Sequence, residues 1–501
     1  MLCERCQKNR ASFTISISCD SVNKYMNLCE GCAVEKGICD DFDNPEREID
    51  IKLKCQHCGR EYSKAALENM ASFNCPELLG CFRCYKEFKK ELKPIIRRIH
   101  GDVIHVGKTP DITGKGSKPR RRNRTFRFMN RAAYTASGWM QGDGPDSDVI
   151  ISTRIRLARN LMDFPFCNQA EKIELQKVAE IAEKALESIS NKAKSELRNA
   201  SVIRLERLDK LERDFLVERH VISNDLSEKV NDKEKENKSG ILTPYRVIIG
   251  EDETVSIMLN EEDHIRLQVM NSGLQIKNSW EIMDSIDNKL SRYVDYAFSQ
   301  DFGYLTACLT NAGTGLRVSV MFHIPALAST REGKKALLSV SDMGYAIRGM
   351  YGEGSYNGGA FYQISNEATL GQSEEDILDR VHEVAVQIAD YEREEREILL
   401  NNSRMMIKDK VFRAYGILTN ARMISCQDAL GNLSWLSLGI NLGILSDLNR
   451  NDIARLMFLI RPAHLQKYEG KRLEAIERDT KRAAIIRKIL KGNMSQVLSN
   501  N

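Results

Sequence analysis

Asn260-Glu261-Glu262-Asp263-His264-Ile265-Arg266 sets adjacent carboxylates close to an arginine inside an otherwise apolar segment. Acidic side chains beside a guanidinium usually form a solvated face or a structural ion-pair network. Three other segments change that reading. Ser152-Thr153-Arg154-Ile155-Arg156, within DVIISTRIRLARN, alternates apolar and polar residues like a strand and turns Arg154 and Arg156 to one face. Two guanidinium forks side by side suit an oxyanion. Cys308-Leu309-Thr310-Asn311-Ala312-Gly313-Thr314-Gly315-Leu316-Arg317 is a glycine-punctuated turn that delivers Arg317 into the apolar run VSVMF. A further arginine, Arg348, opens Arg348-Gly349-Met350-Tyr351-Gly352-Glu353-Gly354. Neither G-x-x-x-x-G-K-[ST] nor an H-R-D set occurs, so the phosphate loops of P-loop enzymes and eukaryotic-type protein kinases are excluded.

Taken in order over roughly residues 138–380, and ending in NEATLGQSEED, these segments resemble the catalytic domain of guanidino (phosphagen-type) kinases. Within that superfamily GWMQGDGPDSDVIISTRIRLARNL, ACLTNAGTG, RGMYGEGS and FLIRPAHLQ are most similar to the bacterial protein-arginine kinases of the McsB type. Phosphorylating a guanidinium poses two physical problems. With a pKa above about 12 it has no free lone pair at neutral pH, and removing its proton in advance costs roughly 7 kcal/mol. A carboxylate must therefore orient the cation and take the proton as the bond forms. A triphosphate also repels that carboxylate unless guanidinium donors neutralise it.

The resemblance implies Glu262 as the carboxylate that positions and deprotonates the acceptor, with Glu353 as a second acidic contact. It implies Arg154, Arg156, Arg266, Arg317 and Arg348 as ligands of the ATP phosphates and His220, in VERHVIS, as a contact of the base. Magnesium is expected to bridge phosphates mainly through water. Cys308 matches a reactive cysteine of the family, with a thiol pKa expected to be lowered by the surrounding cations. After VERHVIS the sequence departs from the family wording at Asn224 and Asp225 and continues as the polar run DLSEKVNDKEKENKSG. In the last helical segment, Arg478 and Asp479 correspond to an arginine-aspartate pair that recognises phosphoarginine.

The front of the chain carries four C-x-x-C knuckles: Cys3 and Cys6, Cys29 and Cys32, Cys55 and Cys58, Cys81 and Cys84. Two such knuckles supply the four tetrahedral sulfurs that zinc prefers. Each successive pair of knuckles is separated by 22 residues, so spacing alone allows the second to pair with the third. Sequential pairing keeps each closed loop local and is the expected arrangement. These knuckles, closing in IHGDVIHVGKTP, resemble the zinc-binding activator of the arginine kinase, the McsA type, truncated before its paired-helix segment. Fusion would raise the effective concentration of activator at kinase to about millimolar.

The expected fold is α+β: zinc modules over 1–46 and 47–108, a flexible basic linker over 109–135, and an antiparallel sheet flanked by helices over 136–385. An all-helical domain follows over 386–495, where apolar residues recur at spacings of three and four. No apolar run approaches 18 residues and 29% of residues are charged, which argues against a membrane protein and, with the resemblance, for a cytoplasmic one. A net charge of +4 gives little reason to propose nucleic acid as main ligand, despite the basic run from Lys118 to Arg127. The expected activity is transfer of the ATP γ-phosphoryl group to arginine side chains of proteins. By resemblance, its partners are a Clp-type unfoldase and protease and a heat-shock repressor, with a homodimer left open. Two alternatives stand beside it: a kinase of free arginine or another small guanidine, and a catalytically silent adaptor that binds phosphoarginine or nucleic acid.

Overall fold

The computed structural model describes residues 13–19, 22–28, 50–63, 78–110, 132, 138–190, 196–234, 244–349 and 359–491. Cys3, Cys6, Cys29, Cys32 and Glu353, together with the basic run 118–127, lie outside the described residues.

An eight-stranded sheet dominates the molecule, each neighbouring pair antiparallel. Its strands are β5 (Ile150–Arg159), β6 (Ser201–Arg204), β7 (Arg246–Ile249), β8 (Val255–Leu259), β9 (Ile265–Ser272), β12 (Leu316–His323), β13 (Tyr345–Gly349) and β14 (Phe361–Asn366). They run in the order β13-β14-β12-β5-β9-β8-β7-β6, while β10 (Phe298–Ser299) and β11 (Gly303–Tyr304) pair separately. The alternation seen in DVIISTRIRLARN is the pleat of the central strand. Ile155 and Leu157 of β5, Leu267 and Val269 of β9 and Val318 and Val320 of β12 point into one core. Burial of each such side chain contributes roughly 1.5–3 kcal/mol. That face is covered by three helices from which Val178, Met283 and Val381 enter the same core. The opposite face keeps the polar half of the alternation and is free to carry chemistry.

One of the covering helices, Glu374–Asn420, starts in a capping box between Ser373 and Asp376 and continues well past the sheet. The expected division at residues 385 and 386 falls inside it, and the backbone leaves helical dihedrals at Ser403 (φ −139°, ψ 30°). Beyond that bend, the helices Cys426–Asn441, Arg450–Leu459, Pro462–Glu469 and Ala475–Leu490 close a second core around Leu433, Leu456 and Ile486. Phe361 of β14 belongs to that core too, so the helical region packs against the sheet.

At the front, β1 (Phe13–Cys19), β2 (Val22–Leu28), β3 (Asp50–Lys54) and β4 (Glu61–Ser63) form a sheet in the order β2-β1-β3-β4. Because β1 pairs with both β2 and β3, this sheet joins strands from both segments expected to hold zinc modules. Two helices follow, α1 (Phe82–Glu87) and α2 (Lys89–His100), the second ending on Gly101 in the left-handed region (φ +77°). Their apolar side packs on Leu53, Tyr62 and Leu79 of the same module and reaches beyond it. Tyr85, Phe88, Leu92 and Ile96 share a cluster with Phe302, Leu305, Ala307, Leu309 and Leu370 of the catalytic region. Lys108 then reaches Asp284 and Asp287, each at 2.7 Å, fastening the segment that leaves the cysteine module.

Candidate active site

Directly paired residues of an antiparallel ladder share a face, so register places the arginines. Arg156 is opposite Arg317 on one side and Gln268 on the other. Arg266 is opposite Ala158, and Arg154 is opposite Ser319. All four arginines therefore stand on the polar face of the three central strands, within a few ladder rows, and Arg348 joins the same face opposite Gln363. Arg154 donates to Gln363 Oε1 at 2.6 Å and Arg156 to Ser319 Oγ at 3.4 Å, both neutral acceptors. Among the described residues no carboxylate lies within ion-pair distance of either. Burial, followed by Arg266 and Arg317, pushes Arg154 down to about 9. Burial and the same neighbours, with Arg154, push Arg156 well below its ordinary value. Burial, with Arg348 and Arg266, pushes Arg317 to about 10. Guanidinium groups seldom surrender their proton, so these shifts express the cost of burial and, after it, mutual repulsion that an anionic ligand would relieve.

The opening strip forms the hairpin tip between β8 and β9, not a helix face. Asn260 takes the left-handed conformation there (φ +63°), which asparagine tolerates, and its side chain donates to the carbonyls of Leu175 and Pro244. The three acidic residues that follow have different duties. Burial pushes the Glu261 carboxyl up, but Arg266, with hydrogen bonds from Ser223 and the Glu262 N–H, outweighs it and holds it at about 2. Arg266 lies 2.6 Å from Glu261 Oε1. Asp263 accepts from Asn160 at 2.6 Å and from the Ala307 N–H at 2.8 Å, so it ties the hairpin to the glycine-punctuated turn. Glu262 lies between them and accepts from Asn311 Nδ2 at 2.9 Å. Burial, then Asp263 and Glu261, raises its carboxyl to about 7. A carboxylate at that value is a competent base near neutral pH.

Cys308 lies beside this group, its Sγ 3.0 Å from Thr310 Oγ1. Its thiol corrects the expectation of a lowered pKa: burial, then the Glu262 carboxylate, push it up to about 12. Burial and the acidic neighbours dominate at this position. His220, also at positive φ (+57°), donates nothing from its side chain; its Nε2 is buried without a hydrogen-bond partner among the described residues. Trp139 packs edge-on against the ring at 5.3 Å. Burial, then Arg461, Arg154 and Arg156, keep the imidazole well below its usual value, which places it beside the arginine face. The polar run after it begins as a helix, Asn224–Glu234, with Ser223 Oγ accepting from the Leu226 N–H.

Away from this face, the sulfurs of Cys55, Cys58, Cys81 and Cys84 all lie within 4.8 Å of one another. Cys55 to Cys81, Cys58 to Cys84 and Cys81 to Cys84 measure 3.8, 3.7 and 3.8 Å. A tetrahedron of thiolates about 2.3 Å from zinc has edges of about 3.8 Å, so the donor set fits that metal. The third knuckle thus meets the fourth, as local pairing requires. Arg478 and Asp479 sit on the helix Ala475–Leu490. Arg478 donates to the Leu473 carbonyl at 2.9 Å and Asp479 pairs with Arg482.

Reading the sequence alone missed Asn311, which holds Glu262, and the separate duties of Glu261 and Asp263. Nothing local marks them, since the partner of Asn311 is 49 residues away.

Residues 177–395 match the ATP:guanido phosphotransferase C-terminal catalytic domain family. Residues 404–500 match the protein-arginine kinase McsB C-terminal domain, and residues 53–107 the McsA central zinc-finger domain. The protein-arginine kinase of Halothermothrix orenii is 44% identical over 351 residues, covering 70% of this chain and 95% of the relative. That of Moorella thermoacetica is 43% identical over 357 residues, covering 71% and 98%. Among solved structures, a lombricine kinase superposes with a TM-score of 0.50 at 20% identity, over 68% of this chain and 87% of that one. The duplicated taurocyamine kinase from Schistosoma mansoni with bound transition state analog components gives 0.50 at 21% identity, over 71% and 47%.

Proposed function

We propose, from the premise that this chain belongs to the protein-arginine kinase family, that it transfers the γ-phosphoryl group of ATP to arginine side chains of other proteins. The observation that carries this reading is the juxtaposition of Arg154 and Arg156, which donate only to neutral acceptors on the arginine face, with Glu262, a partly buried carboxyl raised to about 7. Arg154, Arg156, Arg266, Arg317 and Arg348 hold the phosphates, and the vacant Nε2 of His220 meets the nucleotide base. Mg2+ would supply further neutralisation of the phosphate charge. Glu262 orients the incoming guanidinium and takes one N–H proton as its nitrogen attacks. The bond from γ-phosphorus to the ADP oxygen breaks, the N–P bond forms, and the products are ADP and phosphoarginine. Glu353 is a second acidic contact to the acceptor, and Cys308 lines the acceptor side. Charge stabilisation by one arginine in such transfers is worth about a thousandfold or more.

Cys55, Cys58, Cys81 and Cys84 would hold a zinc ion through four thiolates, and Cys3, Cys6, Cys29 and Cys32, outside the described residues, would hold a second. Residues 1–46 and 47–108 form the zinc-binding portion, 109–135 the linker, 136–385 the catalytic region and 386–495 a helical region whose Arg478 and Asp479 bind phosphoarginine. The modified arginines mark cytoplasmic proteins for a Clp-type protease and inactivate a heat-shock repressor. No helix among the described residues is long and apolar enough to cross a membrane.

The test is to incubate the purified chain with ATP, Mg2+ and either a casein-like unfolded protein or free arginine, then to map acid-labile phosphate by mass spectrometry at neutral pH. Phosphoarginine in the protein is expected. Phosphate on free arginine alone would transfer the reading to a small-guanidine kinase, and no phosphate on either would leave a silent adaptor.

A further inference from the structure

We infer that Ser223 and Lys229, which follow His220 along the chain, are positioning residues for the acceptor carboxylates at the tip of the β8–β9 hairpin. They belong to the polar stretch where the sequence departs from the family wording, and the fold gives that stretch a definite place. Val221, Ile222, Leu226 and Val230 are buried in one apolar cluster with Val247 of β7 and Met258 of β8, which fastens the segment to the sheet. At its start the His220 carbonyl accepts from Gln268 Nε2 at 2.6 Å, and Gln268 is the ladder partner of Arg156. Ser223 Oγ then accepts from the Leu226 N–H at 3.1 Å, at the start of the helix Asn224–Glu234, and donates to Glu261 Oε1 at 2.6 Å. Lys229, on that helix, donates from Nζ to the Glu261 carbonyl at 2.7 Å.

These contacts converge on the peptide group from which Glu262 springs. Its carbonyl, that of Glu261, is bound by the Lys229 ammonium, and its N–H is bound by the Glu261 carboxylate at 2.9 Å. The other oxygen of that carboxylate takes Ser223 and Arg266, each at 2.6 Å. A hairpin tip has few ladder bonds of its own, so its backbone rests where these side chains hold it. Charge adds to geometry. Glu262 faces Glu261 and Asp263 on its own hairpin, Cys308 on the glycine-punctuated turn, Arg266 on β9 and Lys229 on the helix Asn224–Glu234. Arg266 is already paired with Glu261 and also faces Asp225, whereas Lys229 is bound to a neutral carbonyl and leaves its charge to favour the Glu262 carboxylate. A displacement of about 1 Å at such a site costs about a hundredfold in rate. One segment of chain thus runs from the base contact to the acceptor side and holds the hairpin through two named side chains. The kinetic part of the inference rests on the arginine-kinase reading; the structural part does not.

The test uses the full-length chain with Lys229→Met, Lys229→Arg and Ser223→Ala. Three quantities are read: the pH profile of kcat/KM on an unfolded protein substrate, kcat with the KM for ATP, and hydrogen–deuterium exchange of peptides spanning residues 259–266 in the ligand-free protein. Lys229→Met is expected to lower kcat at least about tenfold with the KM for ATP within about twofold. It should also move the pH midpoint upward by roughly half a unit to one unit, because a cation that favours the carboxylate is gone. Lys229→Arg, which keeps charge and donor, should return both readings toward the starting protein. Ser223→Ala should lower kcat several-fold, and exchange at the hairpin tip should quicken several-fold in Ser223→Ala and Lys229→Met. An unmoved midpoint in Lys229→Met overturns the inference, as do equal losses in Lys229→Met and Lys229→Arg. If Lys229→Met does not fold, Ser223→Ala decides, and unchanged kcat with unchanged exchange in it overturns the inference. If the unaltered chain transfers no phosphate, the proposed function fails while exchange still decides the positioning, which unchanged exchange in both variants would overturn.

Discussion

Glu262 can accept a proton only while its own is absent, and burial among acidic neighbours raises that carboxyl to about 7. Activity should therefore depend on pH in a defined direction. Below pH 7 the log of kcat/KM is expected to rise with unit slope, about tenfold per pH unit, and to level above it. A bound cationic guanidinium favours the carboxylate, so the midpoint in kcat should lie at lower pH than in kcat/KM. Initial rates between about pH 5.5 and 8.5 check this, and a profile flat through neutrality would remove Glu262 as the base. The arginine face makes a second prediction. Arg156→Met removes one of several mutually repelling cations, so the ligand-free protein should melt no lower than the parent, while ATP-induced stabilisation is lost and the rate falls about a thousandfold. Thermal shift with and without nucleotide measures both. A variant that melts lower yet keeps the nucleotide shift would contradict the assignment. At this scale Arg154 and Arg156 were legible because strand alternation fixes which way a side chain points, whereas Arg266, Arg317 and Arg348 came from the family resemblance. Asn311 was not, because its hydrogen bond to Glu262 comes from a partner 49 residues distant.

Secondary-structure elements divided along the same line. The strand reading of ISTRIRL, the glycine turn before Arg317 and the local pairing of the third and fourth knuckles each rest on short-range stereochemistry, and each is seen in the fold. The long helix Glu374–Asn420 was read as helical, but its continuity across residue 385 was not, since apolar spacing of three and four persists on both sides. Its bend at Ser403 falls in the gap between the two matched family segments, which end at 395 and begin at 404. On the helix Ala475–Leu490, Asp479 pairs with Arg482 and Arg478 donates to the Leu473 carbonyl, so a phosphoryl group would meet the remaining donors of the Arg478 fork. Arg478→Ala with Asp479→Ala should weaken phosphoarginine binding at least about tenfold, seen by calorimetry, and spare basal transfer. Equal binding by the double variant would remove that pocket.

Across the whole molecule, the Gly-, Pro- and Arg-rich stretch over 109–135 is read as a flexible linker, and most of it lies outside the described residues. The fold shows a closer relation among the described residues. Lys108 is held by Asp284 and Asp287, and the apolar side of α1 and α2 is completed by the catalytic turn. Such sharing is invisible in sequence because each half carries apolar residues that could equally well fill a core of its own. Catalytic carboxylates, arginine face and cysteine cluster are thereby linked through one turn. The most direct measurement compares the unaltered chain with Glu262→Gln, both shown to bind ATP, by quantifying phosphoarginine formed on an unfolded protein with neutral-pH mass spectrometry. The account predicts phosphoarginine from the first and a loss of about a hundredfold to ten-thousandfold in the second, with ATP affinity kept within about threefold. Equal phosphoarginine from both proteins would contradict it.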